Sequence, residues 1–113
     1  MIEVYHNPRC SKSRQAVKLL QEKGVDFTIR EYLKNPPTQE ELKKVLAKLN
    51  LKPTDIIRKN EAEYKENFKG KNFTDEEWIK ILSEHPKLIE RPIVITDKKA
   101  VVGRPPEKVL EII

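Results

Sequence analysis

Residues 2–32 read IEVYHNPRCSKSRQAVKLLQEKGVDFTIREY, and this stretch decides the fold. Ile2-Glu3-Val4-Tyr5 alternates apolar and charged side chains, the period-two pattern of a strand. Asn7-Pro8 breaks it. Beyond Cys10, Ala16, Leu19 and Leu20 recur at helical spacing until Lys23-Gly24, a basic last turn followed by a glycine stop. Val25 to Tyr32 alternates again, with Phe27, Ile29 and Glu31 against Thr28 and Arg30. Strand, helix and strand in about 30 residues form a βαβ unit, which makes the two strands parallel with a right-handed crossover.

Working outward, the next segment reads as helical. Thr38 and Glu41 form a capping box after Pro36-Pro37, and Leu42, Val45, Leu46 and Leu49 make one apolar stripe. Pro53-Thr54 opens a short helix through Ile56-Ile57. Thr74 and Glu77 form a second capping box ahead of Trp78, Ile81 and Leu82, and Pro86 closes that region. After Arg91-Pro92, Ile93-Val94-Ile95-Thr96 is a buried-type strand, turned by Asp97-Lys98-Lys99 into Ala100-Val101-Val102. Pro105-Pro106 pre-sets a last helix with Val109, Ile112 and Ile113 on one face. The expected architecture is α/β: a four-stranded mixed sheet flanked by helices, in the thioredoxin or glutaredoxin layout. A helical insertion lies between the second and third strands. No repeat or linker interrupts residues 1–113, so the expectation is a single domain.

Composition narrows the function classes. The 113 residues include 23 cations against 18 anions, a net charge of +5, and one cysteine. One cysteine excludes an internal disulfide, a CxxC redox pair and a multi-thiolate zinc site. Thiol chemistry remains open if the second thiol comes from another molecule. No apolar run approaches the ~20 residues that span a bilayer, and no basic-then-apolar leader opens the chain. A free thiol without an export signal fits the cytoplasm. Of the cations, 17 are lysines interleaved with acids, the pattern of solvated helix faces rather than a nucleic-acid footprint.

Cys10 falls where the first strand turns into the first helix. There it meets the unpaired N–H groups and the positive end of the helix dipole, which favour thiolate over thiol. Arg9, Lys12 and Arg14 add positive charge within a turn, so a lowered Cys10 pKa is expected. The N–H groups of residues 11–14, the Ser11 and Ser13 hydroxyls and the Arg14 fork together make an anion site. A thiolate beneath a bound tetrahedral oxyanion is set to attack its central atom. His6 lies four residues before Cys10; it either biases the thiolate through a hydrogen-bond relay or fills the strand end, and spacing leaves both open. His6 and Cys10 offer two metal ligands and no third, so no metal site is expected. His85, before Pro86, reads as a cap on the last helix carbonyls. In a thioredoxin-like layout the loop before the third strand lies beside the active cysteine, which predicts a cis peptide at Arg91–Pro92.

The residues also carry a family resemblance. Tyr5-His6-Asn7-Pro8-Arg9-Cys10, with its His-x3-Cys-x3-Arg spacing, resembles the glutaredoxin-coupled arsenate reductases. So do Ile56-Ile57-Arg58-Lys59-Asn60-Glu61, Leu88-Ile89-Glu90-Arg91-Pro92-Ile93-Val94 and Gly103-Arg104-Pro105-Pro106-Glu107, in the same order along the whole chain. The resemblance implies a thioredoxin-like fold and reduction of arsenate or a similar tetrahedral oxyanion. It implies Cys10 as nucleophile, Arg58, Arg91 and Arg104 as oxyanion clamp, and His6, Ser13 and Arg14 as the supporting shell. No bound cofactor is implied; glutathione is the co-substrate and glutaredoxin the partner that resolves the mixed disulfide. After Cys10 this chain reads Ser11-Lys12-Ser13 where the well-known reductases read Gly-Thr-Ser, and it resembles the short reductase-related subgroup.

Two other functions share the fold. One is a redox regulator similar to Spx that binds RNA polymerase; such regulators carry Cys-x-x-Cys, whereas residues 10–13 here read Cys-Ser-Lys-Ser. The other is a thiol oxidoreductase that retains the anion site but acts on something other than arsenate.

Overall fold

The computed structural model describes all residues, 1–113. Its first compact unit joins residues 1–35 to residues 91–113. Strands β1 (Ile2–Tyr5), β2 (Phe27–Arg30), β3 (Ile93–Ile95) and β4 (Ala100–Val102) form one mixed sheet in the order β2-β1-β3-β4. β1 and β2 run parallel, with Ile2 opposite Phe27 and Tyr5 opposite Arg30. β3 runs antiparallel to β1 (Tyr5 opposite Ile93), and β4 antiparallel to β3 (Ile93 opposite Val102). This is the four-stranded layout expected from the sequence, with helices inserted between β2 and β3.

Helix α1 (Ser11–Glu22) forms because its apolar residues line one face and Gly24, at φ +69°, accepts the left-handed turn beyond its end. Ala16 and Leu20 of α1, Val4 and Val94 of the two central strands, and Val109 all have zero exposure and form the core of this unit. Val4 and Val94 face each other across the β1–β3 ladder, so strand pairing and core packing reinforce one another. The expected last helix is present as a 3-10 helix, Pro106–Glu111. Val109 is its buried anchor, but Ile113 lies past the last turn and is 41% exposed. β2 is shorter than its alternating pattern. As an edge strand it has one paired neighbour, and Ile29 stays 48% exposed.

The second unit, residues 36–90, is helical. α2 (Gln39–Leu49) and α4 (Asp75–Glu84) begin with the two expected capping boxes. Glu41 N–H donates to Thr38 Oγ1 at 3.1 Å and Glu77 N–H to Thr74 Oγ1 at 3.2 Å, with each glutamate returning a bond to the cap backbone. Leu42, Val45 and Leu46 of α2 and Trp78, Ile79 and Leu82 of α4 are buried. Pro53–Ile56 is a 3-10 turn, and Ile57 bridges Ile89. A further helix, α3 (Ala62–Asn67), was not legible because it buries none of its residues. Pro86 opens a 3-10 turn, Pro86–Leu88, where the sequence suggested only a stop.

Candidate active site

The sheet register builds the site within the first unit. β1 ends at Tyr5, where β3 begins at Ile93 and β4 ends near Val102, so three chain crossings meet at one sheet edge. His6 to Cys10 leave β1 there, Arg91-Pro92 enter β3, and Gly103-Arg104 leave β4. Arg91 and Arg104 each stand two residues beyond the Ile93–Val102 pair, and the ladder continues as Gly103 N–H donates to the Pro92 carbonyl at 2.9 Å. An Arg104 Nη1 donor reaches the Arg91 carbonyl at 3.3 Å. The resemblance implied that these two arginines share one clamp, which their separate sequence elements did not show. Counting outward from the Asp97-Lys98-Lys99 turn was the signal that would have joined them. Arg91–Pro92 is cis, as expected, and Arg104–Pro105 is cis as well.

Cys10 is the N-cap of α1 and is buried, at 8% exposure. Its own N–H is held by the Asn7 carbonyl at 3.0 Å, and its carbonyl accepts the Arg14 N–H at 3.0 Å. Burial pushes the thiol's pKa up. That push is outweighed by the Ser13 backbone N–H, the charge of Arg91, the Lys12 N–H and a hydrogen bond from Arg91, so the net value lies below the ordinary cysteine value. The helix start thus turns its free donors onto the sulfur, and Arg91 adds a fixed charge.

Ser13 and Arg14 are used differently from the anion-site reading. Ser13 has zero exposure, and its Oγ accepts the Asn7 N–H at 3.0 Å and lies 2.5 Å from His6 Nδ1. Its hydroxyl is therefore occupied inside the loop and faces no solvent-borne anion. One Arg14 Nη1 donor goes to the Pro8 carbonyl at 2.9 Å, clamping the loop that carries Cys10. The Arg14 N–H is also taken, by Cys10, which leaves residues 11–13 as the donors of the helix start.

His6 is 9% exposed. Burial lowers its pKa; Glu31 pulls the other way, and Arg14 adds to the lowering. A net lowered value keeps the ring neutral at neutral pH. Ser13 Oγ takes part in two hydrogen bonds, accepting one from the Asn7 N–H and sharing the other with His6 Nδ1. His6 thus sits buried at the strand end with Nδ1 against the Ser13 hydroxyl, while it is the Ser13 backbone N–H that reaches Cys10.

Arg58 lies in the second unit. Its Nη1 is 2.6 Å from Glu61 Oε1 and 3.4 Å from the Lys87 carbonyl, and its N–H donates to the Leu88 carbonyl at 2.7 Å. His85 was expected to cap the last carbonyls of α4. It is the C-cap residue, its backbone N–H donating to the Ile81 carbonyl at 2.8 Å, while the ring lies 3.1 Å from Glu63 Oε1 and edge-on to Phe68.

With this geometry in hand, known proteins can be compared. The model of the ArsC family matches residues 5–112. An uncharacterised protein in the glnII region of Streptomyces viridochromogenes is 47% identical, over 96% of this chain and 95% of its own. An arsenate reductase of Escherichia coli (strain K12) is 40% identical, over 99% of this chain and 80% of that one. A solved arsenate reductase from Vibrio cholerae superposes with a TM-score of 0.94 at 43% identity, covering 99% of this chain and 97% of that one.

Proposed function

The chain belongs to the ArsC family, and from that premise we propose that it is an oxidoreductase that reduces arsenate to arsenite, with glutathione and glutaredoxin as external thiol donors. The observation that carries this reading is Cys10 itself: one buried thiol held toward the thiolate by two helix N–H groups and Arg91.

The chemistry follows from those residues. Cys10 thiolate attacks arsenic and forms an S–As bond, while one arsenate oxygen leaves as water after taking up protons from solvent. Arg91 and Arg104 stay charged at any working pH and offer planar pairs of donors to the remaining oxygens. Fixed charges stabilise the negative charge that builds on the leaving oxygen. A glutathione thiolate then attacks Cys10 Sγ. The S–As electron pair stays with arsenic, which departs as arsenite, and the two sulfurs, oxidised together by two electrons, form a mixed disulfide. With one cysteine in the chain, no internal thiol can open that disulfide, so a second external thiol system, glutaredoxin, resolves it. These donors belong to the cytoplasm, and the proposal places the protein there.

The test is a coupled assay: purified protein, arsenate, glutathione, glutaredoxin and an NADPH-recycling system, followed by NADPH loss. The proposal expects turnover that disappears in Cys10→Ser and falls strongly in Arg91→Ala. Absence of arsenate-dependent NADPH loss in wild type would overturn it.

A further inference from the structure

A hollow of about 260 Å³ opens beside the Cys10 loop, lined by His6, Asn7, Pro8, Arg9, Glu31, Leu33 and Lys34. All of these residues belong to the first unit, and Asn7-Pro8-Arg9 lead directly into Cys10. The hollow is smaller than the ~300 Å³ from which pockets enclose drug-sized ligands, and suits a ligand of a few residues with part left in water. Its charges are specific. Arg9 and Lys34 are positive and exposed, Glu31 is negative, and Leu33, 37% exposed, supplies an apolar wall. Lys34 Nζ and Glu31 Oε1 are 3.7 Å apart, so one cation and the anion are already set side by side. His6 is nine-tenths buried, and with Nδ1 against Ser13 Oγ, Nε2 is its remaining ring nitrogen.

We propose that this hollow is the subsite for the thiol donor of the reaction, and that it selects a thiol peptide carrying two carboxylates and one ammonium. The ligand class follows from the charges. Two cations and one anion in the wall are the mirror image of glutathione, which brings two carboxylates, one ammonium and a net charge of −1. Arg9 and Lys34 receive the carboxylates and Glu31 the ammonium, His6 Nε2 offers a hydrogen bond to the peptide backbone, and Leu33 and Pro8 cover the methylenes. Asn7-Pro8-Arg9 carry the chain from the wall of this hollow to the next residue. That residue is Cys10, whose sulfur the donor must attack. The inference rests on the thiol-donor step proposed above and adds where the donor sits and what it must look like.

The experiment has two arms. In the first, S-methylglutathione, which has the peptide's charges but no free thiol, is titrated into the full chain and followed by backbone amide NMR. The proposal expects saturable shifts concentrated in residues 6–10 and 31–34, weakened about tenfold by Lys34→Glu. Tenfold is the scale expected for reversing one solvent-exposed ion pair. Shifts concentrated instead in residues 91–93 and 104–106, or no saturable shifts, overturn it. This arm needs no turnover, so it stands whatever the fate of the arsenate assay. In the second arm, Lys34→Glu is expected to raise the KM for glutathione about tenfold and to match wild type when 2-mercaptoethanol, which has no carboxylates, is the donor. Equal KM values for glutathione in variant and wild type overturn the subsite even if arsenate is turned over.

Discussion

Gly103 couples the core of the first unit to the thiol, and replacing it with alanine tests that coupling. A Cβ built on Gly103 would lie 3.0 Å from Pro92 Cγ, 3.4 Å from Val109 Cγ1 and 3.7 Å from Ala16 Cβ. Carbon atoms pack best at roughly 3.5–4.0 Å, so the Pro92 ring must retreat by about 0.5 Å or more. Val109 and Ala16 are fully buried and offer little room on the other side. Overpacking of this kind costs ~1–3 kcal/mol. Gly103 has no left-handed φ, so alanine fits the backbone and regains about 0.4–1 kcal/mol by restricting the unfolded chain. The net expectation is a loss of ~0.5–2 kcal/mol. Pro92 is bonded to Arg91, whose charge and hydrogen bond help to hold the Cys10 thiolate, so the displaced ring also shifts the Cys10 pKa upward. Urea unfolding measures the first effect, as a lower midpoint at unchanged slope, and thiolate ultraviolet absorbance measures the second. Gly24→Ala serves as the control. It strains a φ of +69° with nothing within 4 Å, so it should destabilise the fold and leave Cys10 titrating as in wild type. A Gly103→Ala protein as stable as wild type, or one that is destabilised with an unchanged Cys10 titration, would refute the coupling.

Three further outcomes are expected. Arg91→Ala removes both the charge and the side-chain hydrogen bond that favour the Cys10 thiolate, so alkylation by iodoacetamide at neutral pH should slow on the order of tenfold; Arg91→Lys should recover part of the rate by keeping the charge. Thr38→Ala and Thr74→Ala each delete a capping-box hydroxyl, and each should lower stability by ~1 kcal/mol in urea titrations without changing Cys10 reactivity. His6 has a folded pKa below 6.5, so the unfolded chain binds the extra proton first; its contribution to stability is complete above that value and is lost as pH falls through the folded pKa. The urea midpoint should therefore drop as the pH is lowered from about 7 to 5.5, and His6→Gln should flatten that drop.

How legible a feature was depended on whether its signal was local. The strand at residues 2–5 and the helix after Cys10 were readable because periodicity and stop residues lie within one turn or one pleat. Both capping boxes were readable for the same reason, since Thr and Glu three apart need nothing from the rest of the chain. α3 escaped because AEYKEN carries no apolar stripe. What it contributes to packing is one ring, Tyr64, stacked 6.4 Å from Trp78. The last helix was legible but its type was not, because its buried residues are Pro106 and Val109, and a spacing of three does not separate an α-helix from a 3-10 helix. Ser13 and Arg14 were read as anion donors from their type and position; their partners, His6, Asn7 and Pro8, appear only once the loop is folded back on the helix start.

By itself the sequence determined that there is one thiol, that it sits at a strand-to-helix turn, and that any disulfide chemistry must draw its second sulfur from outside. Those are consequences of composition and of short-range backbone geometry, and they hold before any long-range contact forms. Only the tertiary structure decided what surrounds that thiol. Arg91 is far from Cys10 in the chain and comes beside it because β1 and β3 pair antiparallel, bringing the end of one strand to the start of the other. Arg104 joins Arg91 because the β3–β4 hairpin returns it two residues past the last ladder pair. Charge acts through space at a few ångströms, so the sheet register adds the Arg91 charge to what the neighbouring N–H groups of Lys12 and Ser13 already supply to Cys10.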